Sequence, residues 1–274
     1  MTLEKLYRLV SIGIVFISNI IFGQSYINNL KFNPISENVS QRAITSIIKD
    51  QKGIIWIGTF FNGLHSFNPK TKVFKNYDSK VFADNDLVNV DIRTIYVDSE
   101  NFIWVGTPYG LYKLEVLPNE AFKITSLKDS MTEEFKNPSN ANYILSIYES
   151  SDKNIWIGTR GAGLCKYDKT NDKYTWFNKL NGLNEENISA IIESKKDNLW
   201  VSGNSGLTNI NLEENIIKNY NYLDGLLSND FNFNSRLKDK SGNIYFGNFK
   251  GIPTKGFKNK ILSAGTFTQR STNL

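Results

Sequence analysis

The chain of 274 residues is 40% hydrophobic and 13% aromatic, enough for a large buried core and incompatible with a disordered polymer. Its formal charge of +5 is spread over lysines that alternate with Asp and Glu, so no basic block marks a nucleic-acid partner. One cysteine excludes an internal disulfide and a thiolate metal cluster, and the single histidine stands alone.

Residues 1–23 differ from the rest. Lys5 and Arg8 precede the apolar run LVSIGIVFISNIIF, and polar sequence begins at Gln24. That is the layout of a secretory signal peptide, with an apolar stretch shorter than the roughly 20 residues of a membrane-spanning helix. Gly23 is small but Ile21 is not, so an uncleaved N-terminal anchor is the alternative. The mature protein is expected to be exported, to a periplasm in a bacterium, and residues 24–257 to form its folded domain.

In that domain GIIWIGTFFNGLHSF returns as NFIWVGTPYGLYKL, KNIWIGTRGAGLCKY, DNLWVSGNSGLTNI and GNIYFGNFKGIPTK. Ile44 to Trp56, Ile92 to Trp104, Ile144 to Trp156, Ile188 to Trp200 and Phe233 to Tyr245 are each 12 residues apart, whereas the step between successive repeats varies from 44 to 52. A unit of fixed internal spacing with variable connections is the mark of a repeated module. Within each unit the apolar pattern has period two or comes in short runs, which predicts strands. In the first they are a (43–49), b (54–58), c (63–67) and d (72–77). The turn DQKG joins a to b, and its counterparts DSEN, SDKN, KKDN and DKSG end in Gly or Asn, residues that tolerate positive φ.

Four strands in about 40–50 residues is the period of a propeller blade, so the sequence predicts an all-β fold, a β-propeller of about five four-stranded blades. The open alternatives are a closed five-bladed ring, with 26–33 latching as the missing last strand, and an arc of a seven-bladed propeller. Trp56, Trp104, Trp156 and Trp200 are expected between blades, where each indole buries on the order of 200 Å². Trp176, on strand d, is expected to be only partly covered. Residues 258–274 lose the pattern and are expected to be an irregular tail.

The signature I/L-W-I/V-G-T followed by G-L, preceded by I-x-x-I-x-x-D-x-x-G, resembles the two-component regulator propeller repeat over about residues 25–252. The resemblance implies an extracytoplasmic sensor region. In that family the repeats build seven-bladed propellers, usually two in tandem, that sense polysaccharide-derived ligands and signal through a membrane histidine kinase. No kinase glycine motif or phosphoacceptor segment is legible here, so the resemblance implies a truncated sensor without its own output. A secreted protein-binding scaffold is the alternative.

In a propeller the b-to-c and d-to-a connections meet at one channel mouth, the expected ligand platform for an oligosaccharide or other small ligand. The b-to-c loops offer Phe60, Phe61, Asn62, Pro108, Tyr109, Arg160, Asn204, Ser205, Asn248, Phe249 and Lys250. The preceding connections add Arg42, Asp91, Asn142, Tyr143, Asn187 and Asn232, and Tyr109 with Arg160 are the leading candidates. His65, Tyr112, Cys165 and Thr208 fill one equivalent position on strand c, which places His65 and Cys165 in different blades and argues against a nucleophile and base pair. Asp50, Asp98 and Asp239 recur in the a-to-b turn, where capping explains them. No calcium loop or phosphate-binding glycine loop is present, so neither a cofactor nor an enzymatic activity is expected.

Overall fold

The computed structural model describes residues 43–60, 62–77, 91–118, 120–132 and 138–248, all within one compact unit that begins at Arg42. The expected signal segment 1–23, the strand 26–33 and the tail 258–274 lie outside the described residues. Five antiparallel sheets follow one another along the chain. The first is β1 (Ile44–Lys49), β2 (Ile55–Thr59), β3 (Leu64–Asn68) and β4 (Val73–Tyr77). The second is β5 (Thr94–Val97), β6 (Ile103–Thr107), β7 (Gly110–Val116) and β8 (Phe122–Ser126). The third is β9 (Ile144–Glu149), β10 (Ile155–Thr159), β11 (Leu164–Asp168) and β12 (Lys173–Phe177), and the fourth β13 (Ala190–Lys195), β14 (Asn198–Ser202), β15 (Leu207–Asn211) and β16 (Ile216–Tyr220). The fifth has two described strands, β17 (Phe231–Lys238) and β18 (Ile244–Asn248). Each sheet is a meander in chain order, and its first strand neighbours the first strand of the next sheet. This is a β-propeller, with the first strands lining the channel. Among the described residues no helix is long and apolar enough to cross a membrane.

The repeated wording has a mechanical reading. Each indole sits in a hydrophobic cluster shared with the following sheet: Trp56 with Ile92 and Ile95, Trp104 with Ile144 and Ile147, Trp156 with Ile188 and Ile191, Trp200 with Phe231 and Phe246. All four are almost completely buried, while Trp176 is partly covered. The glycine two residues after the first three tryptophans leaves room for the next sheet. A Cβ on Gly58 would stand 2.6 Å from Ile92 Cγ2, one on Gly106 2.6 Å from Ile144 Cγ2, and one on Gly158 2.6 Å from the Ile188 carbonyl oxygen. The Ile92 and Ile188 amides donate to the carbonyls of Thr59 and Thr159 (3.1 and 2.9 Å), stitching adjacent sheets. Thr59, Thr107 and Thr159 close their own b-to-c turns by donating Oγ1 to the carbonyls of Gly63, Gly110 and Gly163.

The turn aspartates do more than cap. Asp50 accepts the Ile54 amide on one oxygen and the Trp56 Nε1–H on the other (2.8 and 3.0 Å), and Asp98 treats Phe102 and Trp104 the same way (2.9 and 2.8 Å). A buried indole N–H needs an acceptor, so the six-residue spacing from turn to Trp is a packing requirement. Ser150 serves Trp156 at 2.9 Å, and Asp239 accepts from the Tyr245 hydroxyl at 3.0 Å.

Two expectations need correction. The positive-φ turn residue is Gly53, Asn101 and Gly242 in three repeats, but Lys153 and Asp197 in the other two, one position before the Asn that the sequence suggested. The hydrogen bonds that fix Asp50 and Ser150 set the turn's phase, and it overrides the residue preference. In the fifth repeat the slot held by Ile92 and Ile188 belongs to Phe231, whose amide donates to the Gly203 carbonyl at 3.1 Å. Phe233, assigned to that slot by its distance from Tyr245, is instead 57% exposed. The pairing of β17 with β18 shifts between Phe231 and Arg236, and Asn234 adopts φ 53°, so a bulge separates equal spacing in sequence from equal place in space.

Candidate functional site

The channel mouth holds a cavity of about 420 Å³, a volume ordinary for small-ligand sites. Three repeat positions build its wall. The residue four after the Trp, just past strand b, supplies Phe60, Arg160 and Asn204. The residue 13 before it, entering strand a, supplies Tyr143 and Asn187; the residue 11 before it supplies Thr45, Arg93 and Leu145. Ile44 and Phe233 complete the lining. Every one of the five sheets thus contributes to one cavity.

Local structure fixes these side chains. The amides of Phe60 and Arg160 donate to the carbonyls of Ala43 and Tyr143 (both 2.9 Å), which returns strand b against the start of strand a. Arg160 also bridges to Asn187 of the next repeat, and the Gly161 and Gly163 amides donate to the Glu186 carbonyl at 2.9 and 3.0 Å. The loop bearing Arg160 is therefore tied at both ends to its neighbour.

Two guanidinium groups share one ring. Arg93 lies 5.3 Å and Arg160 5.1 Å from the Tyr143 centroid, and Arg93 also covers Phe60 at 4.2 Å. Arg93 donates to Asp91, two residues earlier on the segment leading into β5, at 2.5 Å. Burial pushes the Asp91 carboxyl above its ordinary pKa, and the Arg93 charge opposes that rise. No Asp or Glu is among the described lining residues, and no group of three or more His, Cys, Asp and Glu gathers anywhere among the described residues.

Further down the channel the bulge of β17 reaches across it. Thr94 Oγ1 donates to Asn234 Oδ1 at 3.3 Å, Arg236 donates to the Ile147 carbonyl at 2.7 Å, and its guanidinium lies 5.6 Å from the Tyr148 ring. Burial lowers the Arg236 pKa, while the Tyr96 and Tyr148 hydroxyls oppose the drop.

Of the sequence candidates, Phe60, Tyr143, Arg160, Asn187 and Asn204 come together at the cavity. Tyr109 does not line it and stands 62% exposed on its turn, its amide donating to Thr107 Oγ1 at 3.0 Å. Asn248 is buried in β18 opposite Phe231, and Asn62, Pro108, Ser205, Asn142 and Asn232 lie outside the lining. Arg42, Phe61, Phe249 and Lys250 lie outside the described residues. His65, Tyr112, Cys165 and Thr208 share the strand c slot, opposite Ile57, Val105, Ile157 and Val201, all buried and in separate sheets. Arg93, Thr45, Leu145, Ile44 and Phe233 were missed. For Arg93 the signal was strand alternation: Ile92 faces the neighbouring sheet, so the next residue faces the channel.

Residues 38–61, 86–109 and 138–161 match the family described as two component regulator propeller, and each match runs through a Trp-Ile/Val-Gly-Thr segment of the geometry above. These are two component regulator propeller repeats. The propeller is 32% identical over 208 residues to histidine kinase P4 of Formosa agariphila, a match covering 74% of this chain and 15% of that protein. The extracellular domain of a hybrid two component system from B. thetaiotaomicron superposes with a TM-score of 0.66 and 28% identity, over 81% of this chain and 29% of that one. Virginiamycin B lyase of Staphylococcus aureus shares the fold alone, with a TM-score of 0.53 and 16% identity over 74% of this chain and 62% of the lyase. The propeller therefore spans 15% of the histidine kinase and 29% of the extracellular domain that it is similar to.

Proposed function

We propose that this propeller is an extracytoplasmic ligand sensor that takes a polysaccharide-derived or similar small ligand at its channel mouth and passes the event to a membrane histidine kinase. The observation that carries the reading is convergence, since side chains from all five sheets meet at one cavity. A ligand seated there touches all five sheets at once, so its binding energy is linked to how the blades sit relative to one another. Aromatic faces from Phe60, Tyr143 and Phe233 suit the C–H faces of sugars, and the Asn187 and Asn204 amides suit hydroxyls. The signal-peptide-like layout of residues 1–23 and the similarity to a histidine kinase and to the extracellular domain of a hybrid two component system support the location and the kinase output. Without a carboxylate in its described lining, the cavity has no acid and base pair for glycoside hydrolysis, which favours binding over catalysis.

Thermal unfolding of the full chain against an oligosaccharide panel tests this. A ligand at a hundred times its Kd adds about 2.7 kcal/mol of stability. Arg160→Ala and Tyr143→Ala are expected to remove that gain and Tyr109→Ala to keep it; stabilisation that survives both of the first two would move the site away from the channel mouth.

A further inference from the structure

We infer that the ligand carries an oxyanion, a carboxylate or a sulfate ester, on a sugar ring, and that Arg160 is the residue that reads it. The inference rests on the cavity being the sensor's binding site and adds the ligand's chemical class.

Charge accounting leads there. The described lining contains two arginines and no carboxylate, so the wall is cationic before any pairing is considered. Arg93 is committed, held by Asp91 at 2.5 Å and laid over Phe60 at 4.2 Å. Arg160 is different. Its main chain is fixed by the bond to Tyr143 and the bridge to Asn187, yet its side chain forms no ion pair among the described residues and is exposed. One uncompensated positive charge therefore faces the cavity.

Arg160 is also oriented. Its guanidinium lies 5.1 Å from the Tyr143 ring, and Arg93 holds the same ring from 5.3 Å. Contact with a ring limits the motion of a planar guanidinium while leaving its N–H edges free, so less freedom is lost when those edges grip a two-oxygen anion. A lysine there would supply charge without the fork. A neutral sugar would take hydrogen bonds from Arg160 but would leave its charge unpaired where the ligand displaces water, a cost that an acidic ligand avoids. Phe233, 57% exposed at the rim, offers the apolar face against which the acidic ring would lie, and Asn187 and Asn204 are placed for its hydroxyls.

The test is isothermal titration of the full chain with three oligosaccharides of equal length: neutral, uronate-bearing and sulfated. At least one acidic ligand is expected to bind about tenfold or more tighter than the neutral one, as a charge-assisted bond implies, and to weaken as salt is raised. Arg160→Met is expected to erase that advantage, bringing acidic and neutral affinities together at an unchanged melting temperature of the free protein, with Arg160→Lys recovering part of the preference. Preference for the uronate assigns a carboxylate, and preference for the sulfated ligand assigns a sulfate ester. Neutral binding equal to acidic, or acidic binding indifferent to Arg160→Met, overturns the inference and leaves the sensor site standing. Failure of all three to bind overturns both.

Discussion

The first three sheet-to-sheet interfaces and the fourth are built on the same text and behave as different objects. In the first three a glycine admits an isoleucine of the next sheet, and main-chain bonds at the channel mouth repeat almost atom for atom between the first and third. In the fourth, Ser202 stands where the glycine was, Phe231 replaces the isoleucine, and the following strand bulges. The polar ties differ as well. Glu149 accepts from the Ser99 amide and hydroxyl (2.7 and 3.0 Å), and Glu193 does the same for Ser151 (2.8 and 3.0 Å). Across the fourth interface Lys238 donates to the carbonyls of Glu193 and Ser194 at 3.1 and 2.7 Å. Regular interfaces make a frame, and the irregular one sends Phe233, Asn234 and Arg236 into the channel. A repeat protein acquires a site where its repeats stop being equal.

The largest test of that contrast removes an indole from each kind of interface. Trp156→Ala is expected to cost about 3–5 kcal/mol and lower the main unfolding transition. Trp200→Ala removes a similarly buried ring, but its partners lie in β17 and β18, so it is expected to split unfolding into an early loss of the fifth sheet and a nearly unshifted remainder. Equal single transitions for both variants in calorimetry would erase the distinction.

A smaller effect is expected at the close approach. Gly158→Ala adds a methyl group where the Ile188 carbonyl already stands, at about 1–3 kcal/mol for overpacking. Ser202→Ala at the equivalent position keeps a Cβ that is already accommodated and is expected to stay within about 1 kcal/mol. Urea denaturation of the pair reads the difference directly, and equal losses would show that the glycines are not there for room.

How far the sequence could be read follows the same division. Strand positions, the 12-residue register and the place of the indoles were legible because each depends on neighbours within one repeat. The dual role of Asp50 and Asp98 was visible in a fixed six-residue spacing but was absorbed into turn capping. The bulge at Asn234 was not legible, since Phe233 keeps the right distance from Tyr245 and only the packing of Phe231 against Ala190 and Trp200 of the preceding sheet decides otherwise. For the site, loop position found Arg160, Tyr143 and Phe60, whereas Tyr109 has the right loop and the wrong direction. Which loop side chains turn inward is set by neighbouring sheets, and no local pattern carries it.

The smallest effect is that of acid. Lys169 joins Glu100 and Glu149 at 3.0 Å each and lies 3.6 Å from Asp98, tying the second sheet to the third. The hydrogen bond from Lys169 holds the Glu100 pKa below its ordinary value of 4.5. A depressed carboxylate contributes stability that is present above 4.5 and lost as pH falls through the folded value. Because Glu100 is half exposed, the loss is expected to be under about 1 kcal/mol and weaker in salt. Lys169→Met should flatten the melting-temperature profile between pH 5 and 3, in units set by ordinary carboxylate titration. An unchanged slope would remove this network from the frame.

Native-state hydrogen exchange tests the frame against the irregular interface most directly. The amides of Ile92 and Ile188 bond across regular interfaces, and those of Phe231 and Asn234 bond across the fourth, to the carbonyls of Gly203 and Ser189. Ile92 and Ile188 are expected to exchange only through global unfolding, and Phe231 and Asn234 through an opening of lower free energy that a ligand at the channel mouth suppresses. Equal protection at all four amides, untouched by ligand, would contradict this expectation.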